Sequence, residues 1–71
     1  MNEKERLEMI KHSYSLLEGL VRRINERVID AKEGVKEENQ NLIMGSLEGL
    51  DETADRLKNV FTVMKYIHQG R

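Results

Sequence analysis

Two histidines are the residues of this sequence best suited to acid–base chemistry or metal binding. His12 follows Glu8 by one helical turn, a spacing that could support a metal pair or a phosphorelay histidine. Two groups do not complete a metal site, so the favoured interpretation of His12 is a solvated surface side chain. His68 lies near the predicted end of a helix. The favoured interpretation is that its side chain interacts with the carbonyl end of the helix dipole. The alternative is a pH switch that changes how the helix ends pack.

An acidic run in the second half of the chain is the other candidate for chemistry. Carboxylates four residues apart share a helix face, and a buried pair could transfer protons or hold a divalent metal. These carboxylates fall outside the apolar positions. The favoured interpretation is therefore that they are surface side chains that pair with Arg22, Arg23 or Arg56. The run consists of Glu48, Asp51, Glu52 and Asp55.

Apart from cysteine, the sequence contains the residue types used in other kinds of catalysis, but not in the arrangements that such catalysis needs. It has no cysteine, no serine–histidine–acid arrangement and no glycine-rich loop that could cradle a phosphate. The absence of cysteine also excludes a disulfide framework and any thiolate metal site. We therefore expect a protein that is not an enzyme, with no cofactor, no metal and no small-molecule substrate.

A group of arginines raises the possibility of nucleic-acid binding. Arg22, Arg23 and Arg27 give the first half some basic character, and Arg23 and Arg27 are possible anion contacts. Dimers of helical hairpins can bind structured RNA through such a face. Acidic residues interleave with these arginines, no aromatic residue is near to stack on a base, and 12 basic residues balance 13 acidic ones. RNA binding is therefore kept as the alternative hypothesis, and a membrane-surface helix is less favoured still.

The composition predicts long helices as the elements that carry these residues. The 71 residues suffice for one small domain, and the chain contains no proline, with 38% hydrophobic and 35% charged residues. Apolar residues recur at alternating spacings of three and four, which is typical of helices that pack side by side. The first row is Leu7, Ile10, Tyr14, Leu17, Val21, Ile24, Val28, Ala31 and Val35. The second row is Ile43, Leu47, Leu50, Ala54, Leu57, Phe61, Met64 and His68.

These rows predict a first helix at about 3–33, a turn at about 34–37 and a second helix at about 38–69. Asn2 can cap the first helix, with Glu5 as its reciprocal partner three residues later. Gly34 is a natural C-terminal stop.

Two features leave the turn and the second helix open. Lys36 is a poor N-cap, so Asn39 or Asn41 could begin the second helix and lengthen the loop. The segment 45–49 contains two glycines, which could break the second helix or admit a neighbouring helix. A break would give three helices instead of two.

The two rows mirror each other about the middle of the chain. Residues whose numbers add up to 71 pair throughout, so that Leu17 is predicted to lie opposite Ala54. An antiparallel hairpin with a tight turn requires such a relation. The predicted fold is therefore all-α, a coiled-coil-like antiparallel two-helix hairpin.

One hairpin leaves too much apolar surface in water to stabilise so short a chain. A second stripe beside the predicted seam is apolar on both helices, which predicts a dimer in the form of a four-helix bundle. The predicted dimer or partner interface is Met9, Ser13, Leu16, Leu20, Gly49, Thr53, Val60, Val63 and Ile67.

The sequence as a whole favours a small protein–protein interaction module, such as a regulator, an adaptor or a chaperone-like protein. Its expected partners are a second copy of itself and another protein. The start of the chain has no signal-peptide core, and the longest apolar run is only Leu42–Met44, far short of the roughly 20 residues that span a bilayer. A soluble, cytoplasmic protein is the expectation.

Overall fold

The computed structural model describes residues 2–69 as two antiparallel helices joined by a short turn. The first helix, α1, is Glu3–Lys36, and the second, α2, is Gln40–Gln69. They lie side by side in a rod of 53 × 15 × 11 Å. The prediction of an all-α hairpin is confirmed, and α2 continues through residues 45–49 without a break. Within the described residues, no helix is both long enough and apolar enough to cross a membrane.

Helix α1 begins at the cap that the sequence predicts. The Asn2 side-chain oxygen accepts a hydrogen bond of 2.8 Å from the backbone N–H of Glu5. The side-chain nitrogen of Asn2 donates to the Glu5 carboxylate at 3.4 Å. The extended backbone of Asn2 (φ −83°, ψ 168°) is the usual geometry of an N-cap. Local hydrogen bonding therefore sets this end of the helix.

The turn occupies residues 37–39, slightly later than the predicted 34–37. Its backbone forms a Schellman motif, in which Asn39 N–H donates to the Gly34 carbonyl at 2.8 Å and Glu38 N–H donates to the Val35 carbonyl at 3.2 Å. Glu38 adopts the left-handed conformation (φ 55°) that glycine usually occupies at this position. Asn39 then caps α2 by accepting the N–H of Leu42 at 3.1 Å. Of the two caps considered for a longer loop, Asn39 is the one used.

Gly34 lies inside α1 and does not end it. A Cβ atom at this position would lie 2.9 Å from Ile43 Cγ1 and 3.1 Å from Ile43 N. The glycine is therefore required by the close approach of α2, and not by a positive φ. The prediction that Gly34 stops the helix is wrong for this reason, and α1 extends to Lys36.

The hairpin seam consists of small polar residues as well as apolar ones. Ser13, Ser46 and Thr53 are buried, and each hydroxyl donates to the carbonyl four residues earlier at 2.8–2.9 Å. Such a bond satisfies the hydroxyl within its own helix, so it can face the other helix without an unpaired polar group. The buried and half-buried positions of the seam include Ile10, Ser13, Leu17, Leu20, Ile24, Ala31, Gly34, Ile43, Ser46, Leu50, Thr53, Leu57, Val60, Met64 and Ile67.

The seam is rotated relative to the predicted rows. About half of each predicted row does lie in the seam, but the other half is exposed on one flank. The exposed large members, 38–65% exposed, are Leu7, Tyr14, Val21, Val28, Val35, Leu47 and Phe61. The predicted rows follow hydrophobicity alone. The seam instead includes small hydroxyl residues, because they allow the two helices to approach more closely than tyrosine or phenylalanine would.

The pairing register also differs from the predicted one. Gly34 lies against Ile43, and Arg27 lies against Gly49, so that opposite residue numbers add up to 76 or 77 instead of 71. On this register Leu17 is level with Val60, and the predicted partner Ala54 is exposed. The shift follows from the turn, because its centre is at Glu38 and the predicted turn covers about 34–37.

We predict that Glu38→Gly stabilises the protein by up to about 1 kcal/mol. The left-handed conformation costs a non-glycine residue roughly 1–2 kcal/mol, part of which is offset by the greater freedom of glycine in the unfolded chain. Urea unfolding at one protein concentration measures the change. Glu37→Gly is the matched control: Glu37 has φ −89°, so glycine should destabilise the protein there. Equal destabilisation by both variants would contradict this turn conformation.

We also predict opposite effects for two glycine-to-alanine substitutions. Gly34→Ala should lower the free energy of unfolding by about 1–3 kcal/mol, because the added methyl group meets Ile43. Gly45→Ala should raise it by about 1 kcal/mol, since nothing lies within 4 Å of that Cβ and alanine favours the helix. The same unfolding measurement compares the two. A gain in stability from both would show that the helices are not in close contact at Gly34.

Candidate interaction surfaces

A continuous apolar surface runs along one side of the hairpin. On α1 the surface consists of residues seven positions apart, from Leu7 to Val28. On α2 it consists of residues with the same spacing, from Leu47 through Ala54 to His68. Tyr14 and His68 touch across the helices, with ring centroids 6.1 Å apart, which places the two rows on the same side. We call this surface the long face: Leu7, Tyr14, Val21, Val28, Leu47 and Phe61, each 38–48% exposed.

The Tyr14–His68 contact joins the two helices at the open end of the hairpin. The rings meet edge to face at 76°, and the Tyr14 hydroxyl is 3.4 Å from His68 Nε2. The contact lets the phenol keep a polar partner while its ring belongs to an apolar surface. The sequence placed His68 at the end of a helix, as found, but did not identify this cross-helix contact.

The opposite side of the hairpin carries an apolar groove. It lies between the N-terminal half of α1 and the C-terminal half of α2, with a volume of about 600 Å³. Ile67 and Ser13 are buried at its base, whereas Met9, Leu16 and Val63 are 42–48% exposed. We call this surface the groove; it is lined by Glu5, Glu8, Met9, His12, Ser13, Leu16, Asn59, Val60, Val63 and Ile67.

The groove continues towards the middle of the hairpin and changes its charge on the way. A second depression of about 390 Å³ shares Leu16 and Val60 with the groove. Its lining includes Arg23 from α1 and Arg56 from α2. The continuous surface thus has carboxylates at its terminal end, which we call the acid end, and guanidinium groups at its inner end, which we call the arginine end.

The predicted interface residues divide between the seam and the groove. The hairpin itself buries Ser13, Thr53 and Ile67, and it partly covers Leu20, Gly49 and Val60. Only Met9, Leu16 and Val63 are exposed large side chains. The division has a simple cause: the rotation of the seam turns the predicted stripe partly inward. Whether any of these residues contacts a second molecule stays a prediction.

The arginines singled out in the sequence point in different directions. Arg23 lines the arginine end, and Arg27 crosses to α2, where a Cβ at Gly49 would lie 2.8 Å from its Nε. Gly49 therefore makes room for a side chain of the neighbouring helix, and α2 continues through it without a break. Arg22 is exposed and lies about 100° around the helix from Arg23.

The candidate chemical groups lie apart from one another. The acidic run of α2 is exposed, and the predicted pairs with Arg22, Arg23 or Arg56 are not formed; within residues 2–69 the one ion pair is Arg6–Glu3 at 3.5 Å. His12 lines the groove, as does Glu8. In the described part of the chain, no group of three or more histidine and carboxylate side chains is placed to hold a metal ion.

Comparison with protein-family models, with curated proteins and with solved structures finds no match to this chain. The long face and the groove are the two features of the described residues that bear on function.

Proposed function

We propose that this protein is a small non-enzymatic protein–protein interaction module that forms a homodimer through the long face. The observation that carries the proposal is the exposure of six large apolar side chains on one side of a single hairpin. Contiguous apolar surfaces of this kind are rare on monomeric proteins and are typical of interaction sites.

The surface area of the hairpin supports a second chain. It exposes 5819 Å², whereas a compact monomer of 8.3 kDa exposes roughly 4,600 Å². The excess of roughly 1,200 Å² per chain is similar to the area that each subunit of an obligate homodimer buries. The radius of gyration leads to the same conclusion, since it is 16.2 Å against roughly 11 Å for a compact domain of this length.

The interior of the hairpin also favours association. Ile67, 2% exposed, is the one buried hydrophobic side chain within residues 2–69, and the other buried side chains are serine and threonine. A chain of this size usually needs disulfides, a metal or a partner chain to add to its core. Dimerisation supplies the missing apolar burial.

A four-helix bundle is the arrangement that suits the long face. Two hairpins related by a two-fold axis would bury Tyr14 and Phe61 at the centre of a core that runs along both helices. No charged residue occurs in the rows that form this face. A second copy offers an apolar surface of the same length, which supports self-association over binding of a shorter segment. The groove lies on the other side and takes no part in this dimer, so it is open to the further contacts that a regulator, an adaptor or a chaperone-like protein makes.

We predict that Val21→Glu with Phe61→Glu prevents dimerisation. Burying two carboxylates in each chain should weaken the dimer at least about 100-fold. Light scattering at high ionic strength, where surface charge contacts are screened, should give twice the chain mass for the wild type and a single chain mass for the variant. Circular dichroism of the wild type should also lose helicity on dilution, because dimer-coupled folding depends on concentration.

The matched control is Ile29→Glu with Tyr66→Glu. These residues are 64% and 74% exposed and lie outside both the long face and the groove, so this variant should keep the mass of the wild type. A wild-type chain that stays monomeric and fully helical at every concentration would overturn the proposal.

A further inference from the structure

We infer that the groove is a second self-association site, in which the grooves of two copies pack together in antiparallel orientation. This contact goes beyond the homodimer through the long face, because it uses the opposite side of the hairpin. It follows from three features of the groove and its arginine end: their charges, the apolar centre of the groove, and Gly19, which lines the second depression beside Arg23 and Arg56.

The charges of the groove are placed so that a second copy complements them. Glu5 and Glu8 mark the acid end, and Arg23 and Arg56 mark the arginine end. Eighteen residues separate Glu5 from Arg23, which corresponds to roughly 27 Å along the helix. The midpoint between them on α1 is residue 14, and the hairpin register makes residue 63 of α2 level with it.

A two-fold axis at this level brings opposite charges together. The axis would lie in the interface and cross the helices at right angles beside Val63. The acid end of each copy then faces the arginine end of the other, and Val63 packs on its symmetry mate. Such a contact is isologous, so both charge pairings form at once. A two-fold axis parallel to the helices would instead bring Arg23 of one copy close to Arg56 of the other, which is repulsive.

Gly19 provides an independent observation for the same axis. It lies in the middle of α1, where glycine costs about 1 kcal/mol relative to alanine, and nothing lies within 4 Å of its Cβ position. The residue related to Gly19 by the axis is Met9, which is 42% exposed. The Met9 side chain of one copy therefore fits the open surface at Gly19 of the other. Charge, apolar contact and free space thus agree on one orientation.

The two self-association sites would have different properties. The groove contact is short and has charged ends, so it should be weaker than the dimer and should weaken further as salt screens the charges. Because the long face and the groove lie on opposite sides, the two contacts alternate and join dimers into larger assemblies without closing a ring.

A charge-exchange experiment on the full chain tests this contact. One variant carries Glu5→Arg and Glu8→Arg, and the other carries Arg23→Glu and Arg56→Glu. At low ionic strength, sedimentation velocity should show wild-type assemblies larger than a dimer, whereas each variant alone should stop at the dimer. An equimolar mixture of the two variants should form the larger assemblies again, because a contact between unlike variants has two attractive ends. One end pairs the native carboxylates with the native arginines, and the other end carries the same pairing with its signs exchanged. Circular dichroism of each variant checks that the hairpin is intact.

The second test separates packing from stability. Gly19→Gln should stabilise the helix while its side chain displaces Met9, so association of dimers should weaken at least about tenfold. Gly45→Gln is the matched control: Gly45 is equally open but lies near the turn, outside the overlap of the two copies. It should associate like the wild type.

The outcomes distinguish this inference from the proposed dimer. A wild-type mass that never exceeds a dimer, a charge-exchanged mixture that fails to associate, or equal association of the two glutamine variants would overturn the groove contact and leave the groove to another protein. The same mixture can be made from variants that also carry Val21→Glu and Phe61→Glu. If this mixture then has a mass of two chains, the groove contact is supported even if the long face forms no dimer.

Discussion

The close approach of α1 and α2 along a row of small residues determines which surfaces this protein exposes. Ser13, Ser46 and Thr53 can be buried in the seam because each hydroxyl is satisfied by its own helix. Gly34 lets α2 come within van der Waals distance near the turn. Because the small residues set where the helices approach, the seam holds only part of the large apolar side chains, and the others lie exposed on its two flanks.

These two flanks differ in charge and in length, and both differences bear on the roles proposed for them. The long face carries no charge and extends along both helices, which suits stable burial of apolar area. The groove is shorter and has carboxylates at one end and arginines at the other. Charges at the edges of an interface add little affinity but select orientation and partner. The hairpin therefore combines one surface suited to stability with one suited to selectivity.

The parts of the fold that could be predicted are those set by local interactions. The absence of proline and the three–four spacing indicated two long helices, and Asn2 indicated where the first one begins. The pairing register could not be obtained in the same way, because it depends on Glu38 accepting a left-handed conformation that its residue type does not favour. The prediction that Gly34 ends α1 is wrong for a related reason. A helix stop and a close contact between helices both favour glycine, and only the position of the neighbouring helix distinguishes them.

By itself, the sequence determined an antiparallel pair of helices with more apolar surface than one seam can bury. It could do so because helical periodicity and hydrophobicity are properties of each segment alone. Only the tertiary structure decided which apolar residues face inward: Tyr14 and Phe61 were expected in the seam and lie outside it, whereas Ser13 and Thr53 lie within it. That choice depends on how closely two backbones can approach and on whether each buried hydroxyl has a partner, and both depend on the two helices together.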